Sequence, residues 1–106
     1  MIIMIGDNGE VTLPCGDLLG CEGEHILRRH RVIHPKFGSA YYTMTFVYED
    51  DTSEEAMVID GELVMTEELL PAKGEVRLQF KATLVQDQLV SIFKSEVFKA
   101  RIGESL

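Results

Sequence analysis

Hydrophobic and polar residues alternate most clearly from Glu75 to Val85, where Val76, Leu78, Phe80, Ala82 and Leu84 interleave with Glu75, Arg77, Gln79, Lys81 and Thr83. Successive strand side chains point to opposite sides of a sheet, so this stretch predicts a strand with one apolar face toward a core and one charged face toward water. Tyr41 to Tyr48 repeats the pattern, with Tyr42, Met44, Phe46 and Tyr48 on one face, and reads as a second, central strand. The polar cluster Glu49-Asp50-Asp51-Thr52-Ser53 then predicts a hairpin turn into the apolar run Ala56–Ile59. Asp7-Asn8-Gly9 separates Ile2–Ile5 from Val11–Leu13 and predicts an opening hairpin whose Asn-Gly pair supplies two positive φ angles.

Glu24 to Ile33 reads as a strand whose inward face the pattern leaves open. Thr66-Glu67-Glu68-Leu69-Leu70 before Pro71 predicts about one helical turn, a connector outside the core. Leu89–Phe93 and Val97–Ile102 are apolar stretches whose inward parity changes between Phe93 and Phe98, which a bulge near Ser95 explains. Seven or eight short strands and at most one helical turn predict an all-β fold, an immunoglobulin-like antiparallel β-sandwich forming one domain over residues 1–106.

A chain of 106 residues with 45% hydrophobic and 26% charged residues can bury one modest core. Its net charge of -8 argues against nucleic acid or an anionic membrane surface as the partner. The opening Met1–Ile5 run has no basic leader and breaks at Gly6, too short for a signal core or a membrane span. These features predict a protein that is cytoplasmic when synthesised, with Cys15 and Cys21 as reduced thiols.

Charge is unevenly placed. Residues 1–48 carry five acids and four bases, residues 49–106 carry thirteen acids and six bases, and no Lys or Arg lies between Phe37 and Ala72. The cluster Arg28, Arg29, Arg31 and Lys36 lies just before that gap. It lacks the interleaved aromatics that stack bases and reads as a charged strand face able to meet an acidic surface, such as the Glu49–Glu68 side of a second copy.

Three patterns bear on chemistry. Cys15, Cys21, His25, His30 and His34 are zinc-ligand types, but a C-x5-C pair followed by histidines does not match the short thiolate knuckles of zinc sites. Glu49, Asp50, Asp51, Glu54 and Glu55 lack the alternate spacing, central glycine and closing glutamate of a calcium loop and read as a solvated hairpin tip. Phe37, Tyr41 and Tyr42 are candidates for an aromatic carbohydrate-binding patch, although such runs usually divide between core and sheet surface. No nucleophile elbow, P-loop or dinucleotide fingerprint occurs. The expectation is a chain with no catalytic residues, no metal and no cofactor.

The order of an alternating strand, an acidic turn and an apolar strand is followed by Val64-Met65-Thr66-Glu67-Glu68-Leu69-Leu70-Pro71-Ala72-Lys73-Gly74-Glu75-Val76-Arg77-Leu78-Gln79-Phe80. Ile92-Phe93-Lys94-Ser95-Glu96-Val97-Phe98 and a terminal Ile102-Gly103-Glu104-Ser105-Leu106 complete it. Over residues 24–106 this resembles the small N-terminal β-sandwich domains of tailed-phage baseplate and tail proteins, with the baseplate upper protein of phages of Gram-positive bacteria as the nearest type. The resemblance implies a domain without an active site that docks a larger assembly through protein contacts, and a place in the virion. Longer relatives continue into a coiled coil or fibre where this chain stops at Leu106. The competing expectation is a ligand-binding sandwich for carbohydrate or metal.

Overall fold

In a computed structural model that describes all 106 residues, ten strands build two sheets. They are β1 (Ile2–Ile5), β2 (Val11–Thr12), β3 (Leu18–Cys21), β4 (Arg29–Ile33), β5 (Tyr41–Val47), β6 (Ser53–Val58), β7 (Glu62–Val64), β8 (Gly74–Gln86), β9 (Leu89–Lys94) and β10 (Phe98–Gly103). The smaller sheet has the order β2-β1-β4-β7; the larger runs β3-β10-β8-β5-β6, with β9 also paired to β8. The inner faces share one core of 19 buried residues, among them Ile3, Val32 and Leu63 from the smaller sheet and Met44, Phe46, Val76, Leu78 and Phe80 from the larger.

The all-β sandwich expected from the pattern is the fold, with its pairing modified at two places. β1 runs parallel to β4, and β3 runs parallel to β10, so both sheets are mixed. Parallel neighbours need a long connection between them. Here the chain leaves β1, crosses to the larger sheet as β3, and returns as β4. No helix is long and apolar enough to cross a membrane.

β8 and β5 pair antiparallel from Tyr41↔Thr83 to Val47↔Arg77, and Val76, Leu78, Phe80 and Ala82 all face inward, as their alternation dictates. β9 and β10 lie end to end along the same edge of β8. Lys94 faces Lys81 and Phe98 faces Leu78, so three residues on one strand span the interval covered by two on the other: a β-bulge centred where the parity change placed it. Ser95 is buried there, its Oγ accepting from the Phe80 N–H at 2.9 Å and donating to the Glu96 carbonyl at 2.8 Å.

That bulge also joins the sheets. The turn Gly6–Gly9 closes the β1–β2 hairpin with the Gly9 N–H donating to the Gly6 carbonyl, and Gly9 accepts from the Glu96 N–H at 2.8 Å. Gly9 has φ 84°, whereas Asn8 is not left-handed, so the turn needs one positive φ rather than the two expected. A side chain at Gly9 would also meet the Lys94 carbonyl at 3.1 Å.

Two other expectations are corrected. The strand predicted over Glu24–Ile33 begins only at Arg29. Residues before it form a turn, because the Glu24 carboxylate captures the Cys21 N–H and Ile26, at φ 68°, donates its N–H to the Met65 carbonyl; local side-chain bonds of this kind compete with a sheet ladder. Within β4 the open face assignment resolves with His30 and Val32 inward. The helical turn appears as a 3-10 turn at Glu67–Leu69, without a side-chain cap from Thr66. It is no mere connector, since Leu69 and Leu70 are buried in the core and Tyr48 Oη donates to the Leu69 carbonyl at 2.9 Å.

Candidate interaction surface

β8 outruns its neighbour. Thr83 is its last residue paired with β5, and Leu84–Gln86 pair only with β9, so the distal part of the larger sheet is a two-stranded ribbon. Its turn, Asp87-Gln88, has φ 48° and 67°, the two left-handed residues of a type I′ hairpin. Directly opposed residues share a face, so Thr83 with Ile92 and Val85 with Val90 point outward, next to Tyr41 of β5. Tyr41 is 50% exposed, Ile92 56%, Val85 57% and Val90 60%, with Leu89 at 72% on the opposite face. Tyr41, Val85, Val90 and Ile92 together form an apolar patch on the outward face where the ribbon leaves β5. Isolated exposed apolar residues are normal, but a contiguous group on one sheet face marks a contact site. Lys81 and Lys94 border it, and neither is in an ion pair.

The stretch from Ala82 to Phe93 carries one charge, Asp87, and its outward positions switch from Arg77, Gln79 and Lys81 to Thr83 and Val85. That switch was the readable signal of the surface. The water-facing side read from the sequence, Glu75, Arg77, Gln79, Lys81 and Thr83, keeps its polar character only as far as Thr83; Val85 beyond it on the same side is apolar and exposed.

The zinc-ligand types do not converge. His30 is buried, accepting at Nδ1 from the Met1 amino group at 2.8 Å and donating from Nε2 to the Leu19 carbonyl at 2.6 Å. Burial holds its pKa below the ordinary histidine value, opposed in part by the bond to Leu19. His34 packs tilted against Tyr42, with ring centroids 4.2 Å apart. Cys15 and Cys21 are free thiols, Cys15 exposed and Cys21 half-buried. Only His25 meets other donors, the exposed Glu67 and Glu68, and its Nδ1 already accepts from the Glu67 N–H at 3.1 Å.

The aromatic trio divides as well. Tyr41 faces outward, while Tyr42 lies on the other face against Phe80 and accepts at its hydroxyl from the Phe37 N–H. Phe37 packs tilted against Phe93, with ring centroids 4.9 Å apart. No shared sugar platform results.

The acidic tip builds a turn. Asp50 Oδ1 accepts from the Thr52 hydroxyl and N–H, Glu49 accepts from the Glu75 N–H at 2.7 Å, and Asp51 pairs with Arg77 at 3.3 Å. The Thr52 hydroxyl, and then its N–H, hold the Asp50 carboxyl below its usual pKa. In the basic cluster Arg28 pairs with Glu24 and Arg29 with Glu62, which leaves Arg31 and Lys36 as the cations without an ion pair in that group. The groove between β6 and β7, about 500 Å³, is open, and its lining mixes acids such as Glu54, Glu55 and Glu68 with apolar residues such as Met57, Ile59 and Val64.

No protein-family model matches the chain, and no curated protein shows significant similarity to it.

Proposed function

We propose that this chain is a non-enzymatic structural module that works through protein–protein assembly, with itself or with tail and baseplate proteins of a phage or prophage particle. The apolar end of the larger sheet is the observation that carries the reading: Tyr41, Val85, Val90 and Ile92 stand together on a solvent face, an arrangement suited to burial against another protein. The motif order over residues 24–106, which resembles phage baseplate domains, supports the choice of setting, and the virion is the location that follows.

The mechanism is burial of this patch. Because Arg28 and Arg29 are engaged by Glu24 and Glu62, the charge-guided contact suggested by the sequence has fewer free cations available. Apolar contact therefore dominates. Solution mass by light scattering, over a wide range of concentration and at low and about 1 M salt, tests this. At that salt exposed charges are screened beyond roughly 3 Å, so assembly that grows with concentration and survives high salt supports the reading. Saturable heat with a sugar or a divalent metal, from a chain that stays monomeric throughout, would replace it with the ligand-binding alternative.

A further inference from the structure

Resting on the assembly reading, we propose that two copies of this chain join through the free edge of β9, antiparallel about a two-fold axis at Ser91, so that the larger sheets of both copies become one continuous sheet. β9 pairs with β8 on one side, and no strand lies on the other. A two-residue I′ turn closes on a hydrogen-bonded pair, here Gln86 with Leu89, after which bonded and outward-pointing residues alternate. Ser91 and Phe93 then point their backbone groups at β8, in phase with the Ser95 N–H bond to the Phe80 carbonyl. Val90 and Ile92 present N–H and C=O groups outward with no partner.

Natural edge strands are usually guarded by charge, proline or a covering loop. From Leu89 to Phe93 there is neither charge nor proline. The edge ends where the Gly6–Gly9 turn closes on Ser95 and Glu96, so five residues are free and Ser91 is their centre. Antiparallel pairing about Ser91 sets Val90 beside Ile92 of the second copy and Leu89 beside its Phe93. Each pair shares a face of the sheet, and Val90 with Ile92 are the two residues whose outward backbone groups can be exchanged.

The charges agree with this arrangement. The segment carries Asp87 at its turn and Lys94 at its other end, so reversing the second copy brings each lysine level with the opposite aspartate turn. A parallel or head-to-tail contact would place like ends together or leave both unmatched. Since the chain carries a net -8, two copies repel over most of their surface, and this nearly uncharged ribbon is where that repulsion is least. The contact rests on five edge residues from each copy, fewer than the roughly 20–30 residues a side of a standard interface, so the dimer is weak and its population rises with concentration.

The test is the mass of the parent chain against Ile92→Pro. Ile92 is exposed and its N–H points away from β8, so proline there removes an outward donor while the β8–β9 ladder remains intact. The expected result is a parent whose mass rises from monomer to dimer with concentration and an I92P variant that stays monomeric with an unchanged thermal midpoint. If proline unfolds the hairpin, Val90→Lys supplies the same readout by setting a charge against the apolar Ile92 of the second copy, with the two introduced lysines as diagonal neighbours across the axis. Ser91→Cys in a Cys15→Ser background gives the positive arm. Non-hydrogen-bonded antiparallel partners have Cα atoms about 4.5 Å apart, within disulfide reach, so mild oxidation should yield a covalent dimer whose peptide map shows the two copies linked through the introduced thiols. A parent that dimerises while I92P and V90K dimerise equally overturns the β9 contact and, with it, burial of the Val90 and Ile92 patch as the mechanism, and leaves only assembly through another surface. A parent that stays monomeric overturns the contact, and the assembly reading falls with it when a sugar or metal also gives saturable heat.

Discussion

At the scale of single residues, the polar atoms inside the sandwich are each committed to a bond, and no buried side-chain nitrogen or oxygen lacks a partner. Ser95 shows why this matters. Its hydroxyl satisfies the Phe80 N–H at the bulge, so Ser95→Ala strands a buried donor and should cost about 1–3 kcal/mol, read as a shift in the urea midpoint; an unchanged midpoint would mean that water replaces the hydroxyl. His30 makes stability depend on pH. Its folded pKa lies below the ordinary value, so the unfolded chain takes up the proton first. The contribution is complete above about pH 6.5 and declines as pH falls through that value. Urea midpoints should drop between about pH 7.5 and 5.5, and a His30→Asn variant should show a flatter profile from a lower starting point. His30, grouped in sequence with the possible zinc ligands, is a core residue, and nothing in the order Arg29-His30-Arg31 tells burial from exposure until β4 is paired on both sides.

Elements depend on a few positions that regular periodicity does not mark. The β1–β2 hairpin was legible from Asn8-Gly9, and the change of parity after Phe93 located the bulge. That the two features touch, with Gly9 seated on Lys94 and Ser95, was not legible, because the contact joins segments more than eighty residues apart. Gly9→Ala faces both a left-handed backbone and that close approach. A loss of at least about 1–2 kcal/mol is expected from the conformation alone, with thermal unfolding as the check and a loss below 0.5 kcal/mol, roughly the level of a neutral surface change, as the contrary result. Phe80, fully buried at the crossing of β5, β8 and the aromatic cluster, should cost about 3–5 kcal/mol when replaced by alanine. β3 and β7 had no alternating signature, since strands of four and three residues present only Leu19–Gly20 and Leu63 to the interior. They exist because a neighbour offers an edge.

Across the whole molecule, the 19-residue core is shared by both sheets, and neither sheet has an interior of its own. Calorimetry should therefore show one unfolding transition with an enthalpy of about 60–80 kcal/mol; two separated transitions would show that the sheets melt independently. The six ion pairs all lie between exposed or half-exposed side chains and hold little stability individually. Alternation alone determined the all-β class, the long central strands and their inward faces, because burial on a pleated sheet has period two and is written into neighbouring residues. The composition determined an acidic surface. Only the tertiary structure decided which edges stayed open, that β3 crosses sheets to run parallel to β10, that the zinc-type residues are scattered, and that β8 outruns β5 to bare its apolar end. Those are properties of pairing between distant segments. The free energy of such pairing rests on neighbours that a linear pattern does not name.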